Sequence, residues 1–178
     1  MNDSPVNLLL RAATFAAEKH KTQKRKNTAE TPYINHPLEV AHLLATEARV
    51  TDVVVLVSAI LHDTIEDTKT TREELEHLFG PEVAGVVAEV TDDKLLLKAE
   101  RKRRQIEHAP SLSVRAKLVK LADKICNVRD VAADPPAGWP LERRQEYFDW
   151  AKAVIDGLRG VSPVLEAKFD DMYARRPK

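Results

Sequence analysis

Residues 51–63 read TDVVVLVSAILHD, and the fold class depends on how this stretch is interpreted. Four of the five residues in Val53–Val57 are β-branched, which favours a buried strand. However, the apolar run continues through Leu61 without a turn signal, and helical patterns lie on both sides of it. We therefore predict a wholly buried helix, capped at Thr51-Asp52 and ending at His62-Asp63.

The rest of the chain favours helices as well. Only five glycines occur in 178 residues, and helix-forming residues are abundant. Caps, first-turn prolines and apolar spacing predict further helices at Asp3 or Ser4 to His20, from Pro37, Thr71 to Phe79, 82–91, from Ser113, 141–158 and 163–175. Residues 21–35 and 130–140 are predicted loops, and the charged segment 94–108 is assigned no element. We expect one all-α domain over residues 1–178, a bundle of about eight to ten helices.

Charge and cysteine content exclude several classes of protein. Lys plus Arg equals Asp plus Glu at 28 each, so no net field recruits nucleic acid or an anionic membrane. Residues 1–5 lack a signal pattern, and no apolar run approaches the ~18 residues of a membrane span. The single cysteine, Cys126, excludes a disulfide framework and is predicted to be a small core residue. We expect a cytoplasmic protein whose oligomeric state is not readable from the sequence.

Two imidazoles and two carboxylates could form a metal centre. A hydrolytic metal centre needs such ligands plus open positions, because the metal lowers the pKa of bound water and polarises a phosphoryl oxygen. The candidates are His36, directly before the second helix, His62 and Asp63 at the end of the third, and Asp123 in an apolar helix. The other histidines, interpreted as surface or packing residues, are His20, His42, His77 and His108.

Asp123 has a specific place on its helix. At ~100° per residue, Asp123 lies opposite an apolar face, and Lys120, Asn127 and Asp130 lie within about 60° of it. The apolar face consists of Val114, Leu118, Leu121, Ile125 and Val128. A carboxylate on a mostly buried helix must be paired or metal-bound. A salt bridge to Lys120 or to another basic residue is the alternative.

Charged clusters near these positions suggest phosphate chemistry. Glu66 and Asp67 follow the His62-Asp63 pair, where carboxylates can position a water molecule and move protons. The alternative is a solvated acidic helix end, which the helix dipole disfavours. Two basic clusters comprise Lys19, Lys21, Lys24, Arg25 and Lys26, and Lys94, Lys98, Arg101, Lys102, Arg103 and Arg104. Such runs are usually solvated faces, but in a neutral protein they are also a means of binding a phosphate-rich substrate.

Five ordered motifs resemble a known family, the hydrolase domain of RelA/SpoT-type alarmone enzymes, which is of the HD type. They are Arg25-Lys26, PYINHP at 32–37, LHDTIEDT at 61–68, EVTDDK at 89–94 and KLADKICN at 120–127. The chain is similar to the small stand-alone alarmone hydrolases, including the metazoan SpoT homologue. The resemblance runs from about residue 8 to about 160, and we expect neither a synthetase domain nor a regulatory tail.

The resemblance implies an activity and a set of roles. The family has an all-helical HD fold and uses one Mn²⁺ to remove the 3′-pyrophosphate from guanosine tetra- or pentaphosphate. The implied metal ligands are His36, His62, Asp63 and Asp123. The implied water-activating pair is Glu66 and Asp67. The implied or expected substrate contacts are Arg25, Lys26, Lys94, Lys98, Arg101, Asn127 and Tyr147.

Two departures from the bifunctional family members concern the nucleoside side of the site. The basic loop between Lys26 and Pro32 is longer than theirs, and Asp130 stands where they often have threonine. Both departures affect which nucleobase the site is expected to prefer. The alternative functions are hydrolysis of adenosine alarmones or of the 2′-phosphate of NADPH, a catalytically silent alarmone-binding module and a protein stapled by a structural metal. The Glu66-Asp67 pair argues against the last two.

Overall fold

The computed structural model describes residues 4–178, so the alternative cap at Asp3 lies outside the described residues. In this range the regular elements are helices, and strand-like pairing is limited to an isolated antiparallel bridge between Lys24 and Pro32. The α-helices are α1 (Pro5–Lys19), α2 (Asn35–Thr46), α3 (Val53–Leu61), α4 (Thr64–Asp67), α5 (Arg72–Phe79), α6 (Pro81–Val90), α7 (Lys98–His108), α8 (Val114–Ala133), α9 (Leu141–Asp156) and α10 (Pro163–Ala174). A 3₁₀ turn, Ala109–Ser111, joins α7 to α8. The predicted all-α class is confirmed.

Side-chain caps fix the starts of five helices. Each cap oxygen accepts a hydrogen bond from a backbone N–H in the first turn, which satisfies one of the donors that a helix start leaves unpaired. These residues are Ser4, Asp52, Thr71, Ser113 and Ser162. Gly80 separates α5 from α6 with a φ of 89°, a conformation that favours glycine. The sequence therefore encodes these helix boundaries locally.

The longest helix, α8, differs from its predicted form. It continues through Asp130 to Ala133, so the predicted start of the loop at residue 130 is wrong. Between Val114 and Pro135 the chain has no proline or glycine that would end the helix, and the buried side chain of Val131 anchors the additional turn. At the other end, Val114 is 64% exposed and does not belong to the buried face assigned to it.

Two further differences concern an additional helix and the start of α2. The charged segment forms α7, which buries no residue completely and carries Glu100–Arg103 and Glu100–Arg104 ion pairs along one face. In addition, α2 begins at Asn35, so His36 lies in its first turn and not before the helix. A backbone N–H of His36 reaches the carbonyl of Tyr33, which extends the turn upstream of Pro37.

Helices α3 and α8 are central to the core. Helix α3 packs against α1, α2, α6 and α8, and its residues Val55, Val57 and Leu61 are fully buried. Contact with four helices explains why a β-branched run is helical here, since packing outweighs intrinsic propensity. Val53, Val54 and Leu56 are only partly buried, so the prediction of a wholly buried helix is wrong for its first turns. Helix α8 packs against α2, α3, α6, α9 and α10, and Cys126 is buried on it as predicted. Within residues 4–178, no helix is both long and apolar enough to span a membrane.

Candidate active site

The four predicted metal ligands meet where α2, α3 and α8 converge. Nε2 of His36 lies 3.1 Å from Oδ1 of Asp123, and Nε2 of His62 lies 3.7 Å from the same oxygen. These three buried residues offer ligand atoms that all lie within 4.8 Å of one another, a spacing that can hold a metal ion. Oδ2 of Asp63 lies 3.1 Å from Nε2 of His62 and 3.9 Å from Nε2 of His36. Residues far apart in sequence thus form one donor cluster.

The tautomer of His62 suits a metal ligand. Its Nδ1 lies 2.8 Å from the carbonyl oxygen of Ala59, and a carbonyl oxygen only accepts, so Nδ1 carries the hydrogen. Nε2 is then the nitrogen that remains for a metal ion; it is buried, and although Oδ2 of Asp63 lies 3.1 Å away, it forms no hydrogen bond. A histidine that donates from one ring nitrogen to a backbone carbonyl and presents the other is the usual arrangement in metal sites.

Opposing charges dominate the electrostatics of this cluster. Burial opposes ionisation of Asp123, but Lys124 at 3.1 Å and the two imidazoles outweigh burial and hold its pKa well below the usual value. Burial likewise disfavours a charged His62, yet the carboxylates of Asp63 and Asp123 raise its pKa well above 6.5. The same negative potential that favours a proton on His62 favours a metal cation in its place.

Two neutral side chains orient the carboxylates. The hydroxyl of Tyr33 donates to Oδ2 of Asp63 at 2.5 Å, and burial followed by the negative charge of Asp63 raises the pKa of Tyr33. The amide of Asn127 donates to Oδ1 of Asp123 at 2.5 Å. Each carboxylate therefore keeps a fixed direction toward the imidazoles, which a metal site requires from the residues behind its ligands.

The acidic pair on the short helix α4 lies beside the cluster. Oε2 of Glu66 accepts a hydrogen bond from the backbone N–H of Asp92 at 3.0 Å. Asp67 accepts one hydrogen bond from Lys94 and another, at 2.8 Å, from the side-chain amide of Gln23. Burial raises the pKa of Glu66 above 4.5, against the opposing effect of the Asp92 N–H. The two acids are therefore held by different elements of the structure.

A large cavity opens above these residues. It has a volume of about 610 Å³, and a smaller cavity of about 150 Å³ adjoins it at the metal-ligand cluster. Residues that line both cavities are Tyr33, Glu66, Asp92, Gln105 and Asn127. All of the expected substrate contacts line the large cavity: Arg25, Lys26, Lys94, Lys98, Arg101, Asn127 and Tyr147. The two adjoining cavities thus bring the candidate metal ligands close to the basic clusters.

The cavity contains cations without carboxylate partners. Within the described part of the chain, five of its basic residues form no salt bridge: Lys26, Lys98, Arg101, Lys102 and Arg143. Because the whole chain has no net charge, this local excess of positive charge acts at short range, on a ligand that enters the cavity. Phosphate groups are the anions that such lysine and arginine side chains bind best.

A family pattern covers most of the helices described above. The pattern of the HD domain matches residues 12–149. The chain belongs to the HD-domain family. The matched range includes all four residues of the donor cluster and the acidic pair. Of the helices that follow α1, only the end of α9 and the whole of α10 lie outside it.

Named relatives of this HD domain include proteins of vertebrates. A protein of Xenopus tropicalis named guanosine-3′,5′-bis(diphosphate) 3′-pyrophosphohydrolase MESH1 is 58% identical over 96% of this chain and 95% of its own length. The protein of the same name from Danio rerio is 53% identical over 99% of this chain and 98% of its own length. A solved structure, described as a metazoan ortholog of SpoT that hydrolyses ppGpp and plays a role in starvation responses, is 50% identical. It covers 98% of this chain and 97% of its own length, with a TM-score of 0.93.

The HD domain also has an aromatic wall that the sequence analysis missed, apart from Tyr147. The ring centroids of Trp139 and Trp150 lie 5.8 Å and 5.3 Å from that of Tyr147. The ammonium groups of Lys102 and Lys124 lie 4.8 Å and 4.7 Å from the ring centroid of Trp150. The signal in the sequence was that these are the chain's two tryptophans, eleven positions apart and among basic residues.

Arg25 is held in a fixed position in the large cavity of this HD domain. Its guanidinium donates to Asn127 at 3.0 Å and to Asp130 at 2.7 Å, and lies 5.6 Å from the ring centroid of Tyr33. The predicted polar stripe of Asp123, Asn127 and Asp130 is therefore present on α8. The predicted alternative for Asp123 is realised only in part, because its cation is Lys124 and the ammonium of Lys120 binds the carbonyl oxygen of Val90.

Proposed function

We propose that this protein is a metal-dependent hydrolase that removes the 3′-pyrophosphate of guanosine 3′,5′-bis(diphosphate) and of the corresponding pentaphosphate. The observation that carries the proposal is the pair of adjoining cavities, in which cations without carboxylate partners lie next to a histidine–aspartate cluster and an acidic pair. The names of the relatives that match this chain over nearly its full length support the same substrate. The unit that acts is a single HD-type domain, and its partner is a small nucleotide rather than nucleic acid or a membrane.

The donor set fits a metal ion with open coordination positions. His36, His62, Asp63 and Asp123 would hold it, and the buried Nε2 of His62, which lacks a hydrogen-bond partner, is the observation that supports this assignment. A mixture of imidazole and carboxylate ligands suits Mn²⁺, which is the ion we propose. When bound, the ion polarises a phosphoryl oxygen and lowers the pKa of a water molecule.

The acidic pair orients and deprotonates the attacking water. Glu66, whose pKa is raised, accepts a proton from the water while the oxygen of that water bonds to the phosphorus attached to the 3′-oxygen. Asp67, held from two sides, orients the same water. The bond between that phosphorus and the 3′-oxygen breaks, the 3′-oxygen takes up a proton, and pyrophosphate leaves together with GDP or GTP.

The cavity walls bind the rest of the substrate. Lys94, Lys98 and Arg101, with Lys26, offset the charge of the pyrophosphate groups, and this charge increases on the leaving portion as the bond breaks. Arg25, Asn127 and Tyr147 line the nucleoside side, where planar groups can stack on a base. Specificity for the base would then depend on Arg25 and on residues of α8 and α9.

Product analysis with purified protein tests this function. The protein is stripped with a chelator, reloaded with Mn²⁺ and given ppGpp, ppApp or NADPH in parallel. We expect stoichiometric pyrophosphate and GDP from ppGpp, only with Mn²⁺, and none from the Asp123→Ala variant. Wild-type turnover by that variant would overturn the metal assignment.

The other functions predict different results in the same assay. Turnover confined to ppApp, or phosphate release from NADPH without pyrophosphate from ppGpp, would replace the substrate and retain the reaction class. Binding of ppGpp without products at saturating Mn²⁺ would identify a silent binding module. Calorimetric titration of ppGpp into the Glu66→Gln variant separates binding from turnover, because Gln has almost the same shape but cannot accept the proton.

A further inference from the structure

His20, at the C-terminal end of α1, is a buried histidine outside the donor cluster. It is 2% exposed, and its ring centroid lies 4.9 Å from that of Tyr33. Its Nδ1 lies 2.7 Å from Oε1 of Gln23, and its Nε2 is buried without a hydrogen-bond partner. A histidine that serves only for packing would not need a short polar contact with the one glutamine that reaches the acidic pair.

The direction of the hydrogen bonds follows from the groups present. An ionised Asp67 only accepts, so the side chain of Gln23 must present Nε2 to it, at 2.8 Å. Oε1 of Gln23 then faces His20 and requires a donor, which only a hydrogen on Nδ1 can supply. His20 therefore fixes the orientation of the Gln23 amide. Without it, the amide could turn its oxygen toward Asp67, and two acceptors would then repel each other.

The backbone holds this relay in place. The N–H of Gln23 donates to the carbonyl of His20 at 2.9 Å, and the carbonyl of Gln23 accepts from the N–H of Tyr33 at 3.0 Å. The segment that follows α1 is thus pinned at both sides of Gln23, whose side chain is left with little freedom. The pair His20–Gln23 is built into the fold and is not a chance surface contact.

The second donor to Asp67 is less constrained. The side chain of Lys94 is 47% exposed and lines the large cavity beside Lys98 and Arg101, where phosphate groups are expected. When a phosphate draws Lys94 away, Gln23 remains as the side-chain donor that orients Asp67. We propose that His20 is a positioning residue that acts through Gln23 to hold the Asp67 carboxylate toward the attacking water.

Two substitutions at one position test this inference, which rests on the proposed hydrolase function. Leucine in His20→Leu keeps the apolar volume but has no donor, whereas the amide of Asn in His20→Asn occupies the place of Nδ1 and can donate. We expect His20→Leu to lower kcat about tenfold with little change in KM, as is usual for residues behind a reacting group. We expect His20→Asn to recover most of that loss. His42→Leu, on the exposed face of α2, is the control.

The controls separate failure of the inference from failure of the function. If wild-type protein releases no pyrophosphate from ppGpp, the proposed function fails. If wild type is active and His20→Leu has the same kcat, or His20→Asn is as slow as His20→Leu, the positioning role is overturned. Thermal unfolding reports whether each variant is folded.

A second variant covers the case in which His20→Leu does not fold. Gln23→Met removes the donor to Asp67 at a partly exposed position and leaves His20 in place. We expect the same loss of kcat, and no further loss in the double variant if both residues act through one contact. An unchanged kcat in Gln23→Met would overturn the inference, and fully additive losses in the double variant would do so as well.

Discussion

The hydroxyl of Tyr33 donates a hydrogen bond to the same oxygen of Asp63 that lies 3.1 Å from Nε2 of His62. The Tyr33 ring also contacts the ring of His20 and the guanidinium of Arg25. One aromatic side chain thus joins the donor cluster, the relay to Asp67 and the nucleoside side of the cavity. The segment between α1 and α2, polar and without regular structure, is therefore part of the site.

Removing this hydroxyl should weaken metal binding more than it weakens folding. In Tyr33→Phe, Asp63 loses a charge-assisted hydrogen bond and the direction that it imposes. We expect Mn²⁺ affinity to fall about tenfold, measured by calorimetric titration of chelator-treated protein. Tyr173→Phe is a matched control, because the hydroxyl of Tyr173 donates to Asp149 at 2.6 Å on the exposed side of α9 and α10. Equal Mn²⁺ affinity in Tyr33→Phe and wild type would contradict the role of this contact.

Metal loading should stabilise the fold. An ion that binds only the folded state adds about 2.7 kcal/mol to the free energy of unfolding when its concentration is 100 times its Kd. We expect Mn²⁺ to raise the thermal midpoint of chelator-treated wild-type protein, and to leave that of Asp123→Asn unchanged. Asp170→Asn, which alters an exposed ion pair with Arg159, should retain the shift. A midpoint shift that persists in Asp123→Asn would place the ion elsewhere.

The sequence revealed the parts of the site that depend on residue type and on helix ends. His62 and Asp63 follow the last turn of α3, and Asp123 interrupts an apolar helix, so each could be recognised as a candidate ligand before the fold was known. The all-α class was predictable for a similar reason, since caps and apolar spacing are local features.

Most of the parts that were missed depend on how loops and helix ends fold back on their own neighbourhood. Trp139 meets Tyr147 because the loop before α9 folds back along the helix, and no periodicity encodes that contact. Tyr147 and Trp150, in contrast, are three residues apart on α9, so helical spacing alone predicts their contact, and it was overlooked. His20 was interpreted as a surface or packing residue, because nothing in a polar loop indicates that Gln23 returns to it. The extra turn of α8 reflects burial of Val131, which a view of residues 130–140 as a proline-rich loop could not reveal.

The pH dependence of turnover should depend on Glu66. Burial raises its pKa above 4.5, with smaller contributions from the charges of Asp63 and Asp92, so a Glu66 that must accept a proton loses function as pH falls through this raised pKa. In Asp92→Asn one negative charge is removed, and the pKa of Glu66 should fall. We therefore expect the acid limb of kcat/KM at saturating Mn²⁺ to move to lower pH. Asp93→Asn, at an exposed neighbouring position, should not move it, and an unshifted limb in Asp92→Asn would exclude Glu66 as the titrating base.

The ion pair between Arg25 and Asp130 should affect substrate binding rather than the chemical step. Their contact at 2.7 Å holds the guanidinium beside Asn127 and the Tyr33 ring, so the arginine is positioned before a substrate enters. We expect Asp130→Ala to raise KM for ppGpp several-fold with little change in kcat, and Asp130→Asn, which keeps an acceptor oxygen, to raise it less. Because Asp130 acts through Arg25, adding Asp130→Ala to Arg25→Ala should cause little further increase in KM. Additive effects on KM in that double-mutant cycle would mean that Asp130 contacts the substrate independently of the arginine, and steady-state kinetics on the four proteins decides between the two.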